Sequence, residues 1–164
     1  MTLDQIAKFT PIATYGMTVA QFFDFCVEYD IPGMPFADEH GDIIGRLSLR
    51  HIVKQNFIPE HASNVAHLMG DERKPGLMKD EHVDRCLCLP VDKFVLTDIA
   101  IVRSYSPIFQ ALARMEKYNS SYLFVVDDRQ YQGIITRSDV VKELMSESNA
   151  RKKAANESNS IKTS

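Results

Sequence analysis

Two polar residues three positions apart, Thr136 and Asp139, are the part of this sequence best suited to chemistry. They follow an apolar, β-prone run and precede a segment with the spacing of a helix, so both fall at the first turn of the predicted helix. Backbone N–H groups at a helix start lack partners within the helix and favour anions. The pair therefore suits the binding of a polyol or a phosphate.

The surrounding stretch, residues 122–142, predicts a β-β-α unit. Apolar β-formers from Tyr122 to Val126 indicate a buried strand, and Asp127 to Gln130 form a polar turn. A second strand runs from Tyr131 to Thr136, and a helix begins near Ser138. The hydroxyl and the carboxylate thus stand where the second strand meets the helix.

This unit resembles the C-terminal half of a cystathionine-β-synthase-type (CBS) domain. The resemblance rests on the apolar strand that ends at Asp127 and on Gly-Ile-Ile-Thr-Arg-Ser-Asp, from Gly133 to Asp139. The family pattern at this point is Gly, two aliphatic residues, Thr or Ser, two free positions and Asp. CBS domains nearly always occur as tandem pairs, so the resemblance implies a second copy.

A second copy emerges when helix caps, strand glycines and strand-end hydroxyls are compared at a fixed offset of 88 residues. These landmarks are Thr18 and Ser106, Gly45 and Gly133, and Ser48 and Thr136. The same register pairs Phe36 with Phe124 and continues upstream to Asp4 and Asp92. Because caps, breakers and strands coincide, the sequence predicts two copies of one supersecondary unit.

The predicted fold class is α+β, with two tandem β-α-β-β-α CBS repeats packed through their sheets with pseudo-two-fold symmetry. The predicted segments are a first repeat (1–54), a connector with a short helix (55–90), a second repeat (91–146) and a frayed helix with a disordered tail (147–164). The connector helix is placed near Pro59 to Met69 and an exposed loop at Gly70 to His82. Capping boxes at Thr2 and Thr18 predict two further helix starts, and Ser106 followed by Pro107 predicts a third.

For the second repeat, the resemblance implies an adenosine-nucleotide site. Asp139 would accept the ribose diol, Thr136 would meet the ribose-phosphate edge, and Arg137 could neutralise phosphate. The adenine would lie between an upstream first strand of the repeat, at about Ile101 to Ser104, and the segment at Ser121 and Tyr122. The implied ligand-binding residues are Thr136, Asp139, Ile101, Val102, Ser104, Ser121, Tyr122 and Arg137. The structural alternative is that Thr136 ends a strand and Asp139 favours the helix dipole.

The first repeat departs from the family pattern. Ser48 replaces Thr conservatively, but His51 stands at the Asp position. A neutral imidazole offers one acceptor and one donor, so it cannot accept both ribose hydroxyls. A degenerate second site would comprise Thr14, Gly33, Met34, Ser48 and His51.

Composition and motifs restrict the remaining function classes. A net charge of -3 without a concentrated Lys/Arg face disfavours nucleic acid as a partner, and no apolar run approaches the ~20 residues of a membrane span. Cys26, Cys86 and Cys88 have neither redox nor zinc spacing, so we expect reduced thiols and no metal site. No nucleophile with a base is recognisable, which disfavours an enzyme. The N-terminus lacks signal-peptide features, so the cytoplasm is the expected location.

The functional expectation is a stand-alone regulatory CBS-pair protein. It would bind AMP, ADP, ATP or S-adenosylmethionine, with no obligatory cofactor, and signal to an unknown effector protein. A homodimer is expected through apolar helix faces around Phe22, Phe25 and Leu112. The alternative is a ligand-free dimerisation or interaction scaffold.

Overall fold

The computed structural model describes residues 2–58 and 79–162 of the 164. Contacts divide the chain into two compact units. Thr10–Ile99 form the first unit, and Met1–Phe9 together with Ala100–Ser164 form the second. The opening residues of each predicted repeat therefore belong to the unit built mainly from the other repeat. Repeats in sequence and units in space are two different divisions of this chain.

The first unit contains a two-stranded antiparallel sheet with helices. In residues 10–58 and 79–99 its elements are α1 (Val19–Tyr29), β1 (Gly33–Ala37), β2 (Ile43–Ser48), α2 (Leu49–Phe57), α3 (Asp80–Cys88) and a 3-10 segment (Val91–Phe94). Single bridges extend the sheet at both edges: Ala13 pairs with Phe36 in parallel, and Leu96 pairs with Arg46 in antiparallel fashion. Gly33 lies opposite Ser48 in the β1 and β2 ladder.

The second unit has a fuller version of the same plan. Its elements are a 3-10 segment (Leu3–Gln5), β3 (Ile101–Val102), α4 (Ile108–Lys117), β4 (Tyr122–Asp127), β5 (Gln130–Thr136) and α5 (Arg137–Lys162). The strand order is β3, β4, β5, with β3 parallel and β5 antiparallel to the central β4. An antiparallel bridge from Lys8 to Ile134 adds the N-terminal segment beside β5. The mixed α+β class predicted from the sequence is confirmed.

Apolar burial fixes the N-terminal segment in the second unit. Leu3 is fully buried in a hydrophobic cluster formed with α4, α5 and all three strands. Its neighbours in the cluster are Ala100, Val102, Ala111, Met115, Leu123, Val125, Ile135 and Val140. Removing a leucine side chain from water contributes about 1.5–3 kcal/mol, so Leu3 anchors residues that precede the rest of this unit by some ninety positions.

Two glycines permit a segment to cross each sheet closely. A Cβ at Gly133 would lie 2.8 Å from the Lys8 carbonyl oxygen. A Cβ at Gly45 would lie 2.7 Å from the Leu96 carbonyl oxygen and would also meet Val95. Glycine is therefore required at both positions by the backbone that passes over them.

Of the predicted helix caps, Thr18 is confirmed, whereas Thr2 and Ser106 are wrong. Thr18 and Gln21 form the predicted capping box, with the Gln21 N–H 3.2 Å from the Thr18 hydroxyl. Ser48 caps α2 by accepting the His51 N–H at 3.3 Å. Thr2 makes no side-chain cap bond, and only a three-residue 3-10 segment follows it. Pro107, rather than Ser106, occupies the N-cap position of α4.

The repeat register changes by one residue along the chain. Phe36 lies opposite Gly45, whereas Val125 lies opposite Gly133, so Phe36 corresponds to Val125 and not to the predicted Phe124. Residues 38–42 separate the paired Ala37 and Ile43, while residues 127–130 separate the paired Val126 and Tyr131. The first hairpin is one residue longer. The offset of 88 holds from the glycines onward, but it is 89 for the preceding strands.

The connector and the C-terminal segment differ from the sequence-based expectation. The predicted helix near Pro59 to Met69 lies outside the described residues, as does most of the predicted loop. Residues 80–82, also predicted as loop, begin α3, which has Asp80 and Glu81 in its first turn. At the other end, α5 continues to Lys162, where fraying in the 150s was predicted.

One apolar face predicted to be exposed lies inside the first unit. Phe22 is fully buried on the same side of α1 as Val19 and Cys26. Phe25 is half-buried, and Leu112 in the second unit is 37% exposed. The prediction of an exposed face is therefore wrong for Phe22, because its spacing from Val19 and Cys26 turns it toward the core.

All three thiols are free. Cys26 and Cys86 are buried, Cys88 is exposed, and burial raises the pKa of Cys26 to about 12. Within residues 2–58 and 79–162, no three His, Cys, Asp or Glu side chains converge as metal ligands would. Among the helices that the structure describes, none has the length and apolar character of a membrane span.

Candidate functional site

The predicted pair, Thr136 and Asp139, meets at the junction of β5 and α5. The Thr136 hydroxyl donates to Asp139 Oδ2 at 2.7 Å, and the Thr136 N–H donates to the same oxygen at 3.0 Å. In return, the Asp139 N–H donates to the Thr136 hydroxyl at 3.2 Å. This reciprocal bonding satisfies groups that a helix start leaves unpaired and fixes the carboxylate in one orientation.

The other carboxylate oxygen is bound by a lysine from the N-terminal segment. Lys8 Nζ lies 2.7 Å from Asp139 Oδ1. The Asp139 side chain is only 5% exposed, whereas the Lys8 side chain is 44% exposed. The Lys8 backbone is held by two 2.9 Å hydrogen bonds with Ile134, so its side chain starts from a fixed point beside β5.

The electrostatics of the pair favour an ionised carboxylate. Burial alone would raise the pKa of Asp139, but hydrogen bonds from Lys8 and Thr136, together with the Lys8 charge, outweigh it. The pKa of Asp139 therefore lies below its ordinary value. At neutral pH the site holds a negative charge, buried beneath a half-exposed cation.

Three further predicted residues lie beside the pair. Tyr122 is directly opposite Thr136 in the β4 and β5 ladder, and its side chain is only 4% exposed. The Ser121 carbonyl accepts the Arg137 N–H at 3.0 Å, which joins the start of β4 to the start of α5. The Arg137 guanidinium lies 3.4 Å from the Glu116 carboxylate, and both side chains are exposed. These residues gather at one end of the sheet.

The three residues predicted from the first strand of the second repeat lie in different surroundings. Ile101 lies opposite Phe124, close to the start of β4. Val102 is 4% exposed and belongs to the hydrophobic core, so its side chain does not face a ligand. The Ser104 N–H donates to Asp127 Oδ1 at 3.0 Å, at the far end of β4 from Tyr122.

The parallel direction of β3 explains why Ser104 is not brought to the pair. Each residue after Ile101 moves about 3.3 Å further along β4, away from Tyr122. Hydrogen bonds from Ser104 lower the pKa of Asp127, so this serine has a different carboxylate partner. The prediction that Ser104 lies with Thr136 and Asp139 is not supported by this geometry.

Lys8 is the member of the site that sequence reasoning missed. Its contact with Asp139 depends on the N-terminal segment lying in the second unit, which local patterns do not report. The available signal was indirect: the 88-residue register aligns Lys8 with Leu96 and Asp139 with His51. A basic and an acidic residue in one copy thus correspond to two other residue types in the other copy.

At the corresponding junction in the first unit, His51 stands where the second unit has Asp139. Ser48 is 8% exposed and caps α2, and the half-buried His51 stands on its first turn. Met34 is fully buried opposite Leu47, and Gly33 pairs with Ser48. Thr14 is exposed in a turn, where its carbonyl accepts the Met17 N–H at 3.3 Å.

Two other features of the first unit lie apart from Ser48 and His51. Arg46 binds Asp98 through Nη2 at 3.0 Å, so this arginine has a carboxylate partner within its own unit. A cavity of about 520 Å³ is lined by Thr14, Gly16, Met17, Gln21, Asp24, Phe25 and Glu28. Of the residues predicted for the degenerate site, the cavity includes Thr14 alone.

Comparison with known proteins matches the second predicted repeat of the sequence to a domain family. Residues 91–146 match the family model described as the CBS domain. Among curated proteins, none is a significant match in sequence. Several solved structures share the fold at identities of 17% or below, a level at which similarity shows the fold alone.

Three of these structures represent the group. A CBS domain-containing protein of unknown function from Kribbella flavida has a TM-score of 0.62 and 17% identity, covering 88% of this chain and 99% of that chain. One from Bacillus anthracis, also of unknown function, has a TM-score of 0.62 and 16% identity, covering 89% and 94%. The CBS domain pair of protein MJ0100, solved in complex with 5′-methylthioadenosine and S-adenosyl-L-methionine, has a TM-score of 0.59 and 17% identity, covering 90% and 98%. Residues 91–146 therefore match the CBS domain family, and the chain as a whole has the fold of a CBS domain pair.

Proposed function

We propose that this chain is a regulatory CBS-pair protein that binds one adenosine-containing ligand in its second unit. The ligand class comprises AMP, ADP, ATP and S-adenosylmethionine. The observation that carries the proposal is the Asp139 carboxylate, which is ionised, buried and oriented by Thr136 at the start of α5. The ligand state would be passed to a partner protein.

The bonding capacity of Asp139 supports a hydroxyl-bearing ligand. An ionised carboxylate offers about four acceptor directions. Thr136 occupies two of them at Oδ2, and Lys8 occupies one at Oδ1. A ribose hydroxyl would take a remaining direction, and a bond to a charged acceptor is about twice as strong as a neutral one.

The surroundings of Asp139 support the rest of an adenosine ligand. Ser121 and Tyr122 lie at the start of β4, and Ile101 lies two positions further along. We propose that these residues border the base and that Arg137, exposed at the start of α5, meets the phosphate. The MJ0100 domain pair binds 5′-methylthioadenosine and S-adenosyl-L-methionine, which gives this ligand class precedent within the fold.

The proposed role is non-catalytic and acts through assembly. Phe109 and Leu112 on α4 are 73% and 37% exposed, and Tyr105, just before this helix, is 73% exposed. We propose that this apolar surface is covered in a homodimer and that an effector protein, of unknown identity, responds to the ligand state. Sedimentation equilibrium measures the dimer directly.

The experiment begins with a thermal-shift screen of AMP, ADP, ATP and S-adenosylmethionine, followed by calorimetry on the best ligand. Asp139→Asn keeps the shape of the side chain but removes its charge. We expect it to weaken binding by roughly ten- to a hundredfold, which corresponds to about 1.4–2.8 kcal/mol. Thr136→Val removes a neutral hydroxyl and should weaken binding less.

Two controls separate contact from general damage. His51→Asn changes the corresponding position in the first unit and should leave affinity unchanged. Removing the 2′-hydroxyl of the ligand should weaken its binding to wild type. The same removal should weaken binding to Asp139→Asn very little, because the shared contact is already gone. Unchanged affinity in Asp139→Asn would contradict the proposed site.

The alternative function is a ligand-free dimerisation scaffold. The exposed Tyr105, Phe109 and Leu112 favour it, because such a surface needs no ligand to associate. On that alternative, none of the four ligands shifts the melting temperature, and Asp139→Asn affects stability alone.

A further inference from the structure

Lys8 is the solvent-exposed partner of the buried Asp139 carboxylate. Its ammonium lies 2.7 Å from Oδ1 and is half exposed, while the carboxylate beneath it is 5% exposed. A hydroxyl arriving from solvent therefore meets Lys8 before it meets Asp139. The free carboxylate is available only when this side chain moves.

The Asp139 carboxylate has too few acceptor directions to bind Lys8 and both hydroxyls of a ribose diol at once. Oδ2 already receives two donors from Thr136, at 2.7 and 3.0 Å, which fills its two acceptor directions. Oδ1 receives Lys8, so only one direction remains for a ligand. A vicinal diol donates two hydrogen bonds. Both can reach Asp139 only when Lys8 gives up its place on Oδ1.

From this geometry we infer that Lys8 is an internal competitor of the ribose diol: its ammonium holds the ligand-free site closed and is displaced when an adenosine ligand binds. The inference rests on the proposed function, since it concerns the same carboxylate. It assigns regulation of the site to a residue of the N-terminal segment, outside the 91–146 family match.

The backbone around Lys8 permits such an exchange. Its N–H and carbonyl each form a 2.9 Å hydrogen bond with Ile134, so the main chain can stay in place while the side chain rotates. A lysine side chain has four rotatable carbons and a hydrated, mobile head group. Displacement therefore requires only the loss of one half-exposed ion pair.

The first unit has other residue types at both corresponding positions, Leu96 for Lys8 and His51 for Asp139. Leu96 makes the backbone bridge to Arg46 that corresponds to the bridge between Lys8 and Ile134. Leu96 has no charge to offer, and His51 replaces Asp139. The competitor and its carboxylate thus occur together in one unit.

The test measures adenosine affinity by calorimetry in wild type, Lys8→Met and Lys8→Arg. Adenosine is the probe because it carries the diol but no phosphate that Lys8 could bind. Lys8→Met should bind adenosine about two- to fivefold more tightly than wild type, the range expected from releasing a partly exposed ion pair. Lys8→Arg retains the charge and should bind within twofold of wild type.

The melting temperature of the ligand-free protein distinguishes competition from general damage. Lys8→Met should melt at a lower temperature than wild type and yet bind adenosine more tightly, because the lost ion pair stabilises only the closed site. Suppose that wild type binds adenosine and that Lys8→Met binds it no more tightly. The competitor inference is then wrong, and the proposed function stands. If neither protein binds adenosine, AMP, ADP, ATP or S-adenosylmethionine, the proposed function fails and the inference fails with it.

Discussion

The two units use one backbone arrangement at the junction of strand and helix but place different chemistry on it. In the second unit, Asp139 is buried, ionised and bound to Lys8. In the first unit, the corresponding positions hold His51 and Leu96, and Ser48 acts as an ordinary helix cap. Bridges between Lys8 and Ile134 and between Leu96 and Arg46 show that the framework is the same. The difference teaches that the framework does not depend on the charged pair, which points to a separate role for that pair.

The largest expected effect on stability comes from removing the Asp139 charge, whose position in the first unit is occupied by His51. Asp139→Asn should lower the free energy of unfolding at pH 7 by about 1.5–3 kcal/mol, because the donors from Thr136 and Lys8 lose a charged acceptor. His51→Asn, at the matched position, should change it by about 0.5 kcal/mol or less. Chemical denaturation of both variants measures the contrast, and equal losses would remove it.

The same substitution should change the dependence of stability on pH. The pKa of Asp139 in the folded protein is lower than its ordinary value, so its stabilising contribution is fully present above about pH 4. That contribution is lost as the pH falls through the lower, folded-state pKa. Wild type should therefore lose stability in this acid range more steeply than Asp139→Asn. Parallel curves for the two proteins would show that Asp139 is not the titrating group.

Replacing either of the two crowded glycines by alanine should lower stability by a similar or smaller amount, because the two units are alike at these positions. Gly133→Ala places a Cβ 2.8 Å from the Lys8 carbonyl oxygen, and Gly45→Ala places one 2.7 Å from that of Leu96. Each should lower stability by about 1–3 kcal/mol, since rigid backbone must shift. Hydrogen exchange should also accelerate at the Lys8 amide in Gly133→Ala and at the Leu96 amide in Gly45→Ala.

Gly41→Ala is the matched control for these glycines. Its Cβ would meet no atom within 4 Å, although its φ of +82° disfavours alanine. It should lower stability by about 1 kcal/mol without accelerating exchange at Lys8 or Leu96. Faster exchange at those amides in the control would mean that crowding against the crossing segment is not the cause.

Local patterns were sufficient to predict much of the fold. The apolar strands around a polar turn from Tyr122 to Thr136, the glycine at 133 and the caps at Thr18 and Ser48 each depend on residues a few positions apart. The sequence therefore reports them directly. The Thr136 and Asp139 pair was predictable for the same reason. Its two members are three residues apart and bond to each other.

What the sequence could not predict depends on distant contacts or on register. Lys8 reaches Asp139 only because Leu3 is buried in the second unit's core, a packing event invisible to local spacing. Ser104 was placed with the site, but the parallel direction of β3 carries it to Asp127 instead. The prediction paired Phe36 with Phe124 because both are phenylalanines. The first hairpin is one residue longer, so Phe36 corresponds in position to Val125 instead.

Counting the ligands bound by each chain tests the central contrast most directly. Calorimetry with whichever of AMP, ADP, ATP and S-adenosylmethionine gives the largest thermal shift should return one site per chain in wild type and in His51→Asn. The same titration of Asp139→Asn should show that single site weakened by roughly ten- to a hundredfold. Two equivalent sites per chain, or a site lost in His51→Asn and retained in Asp139→Asn, would contradict the account.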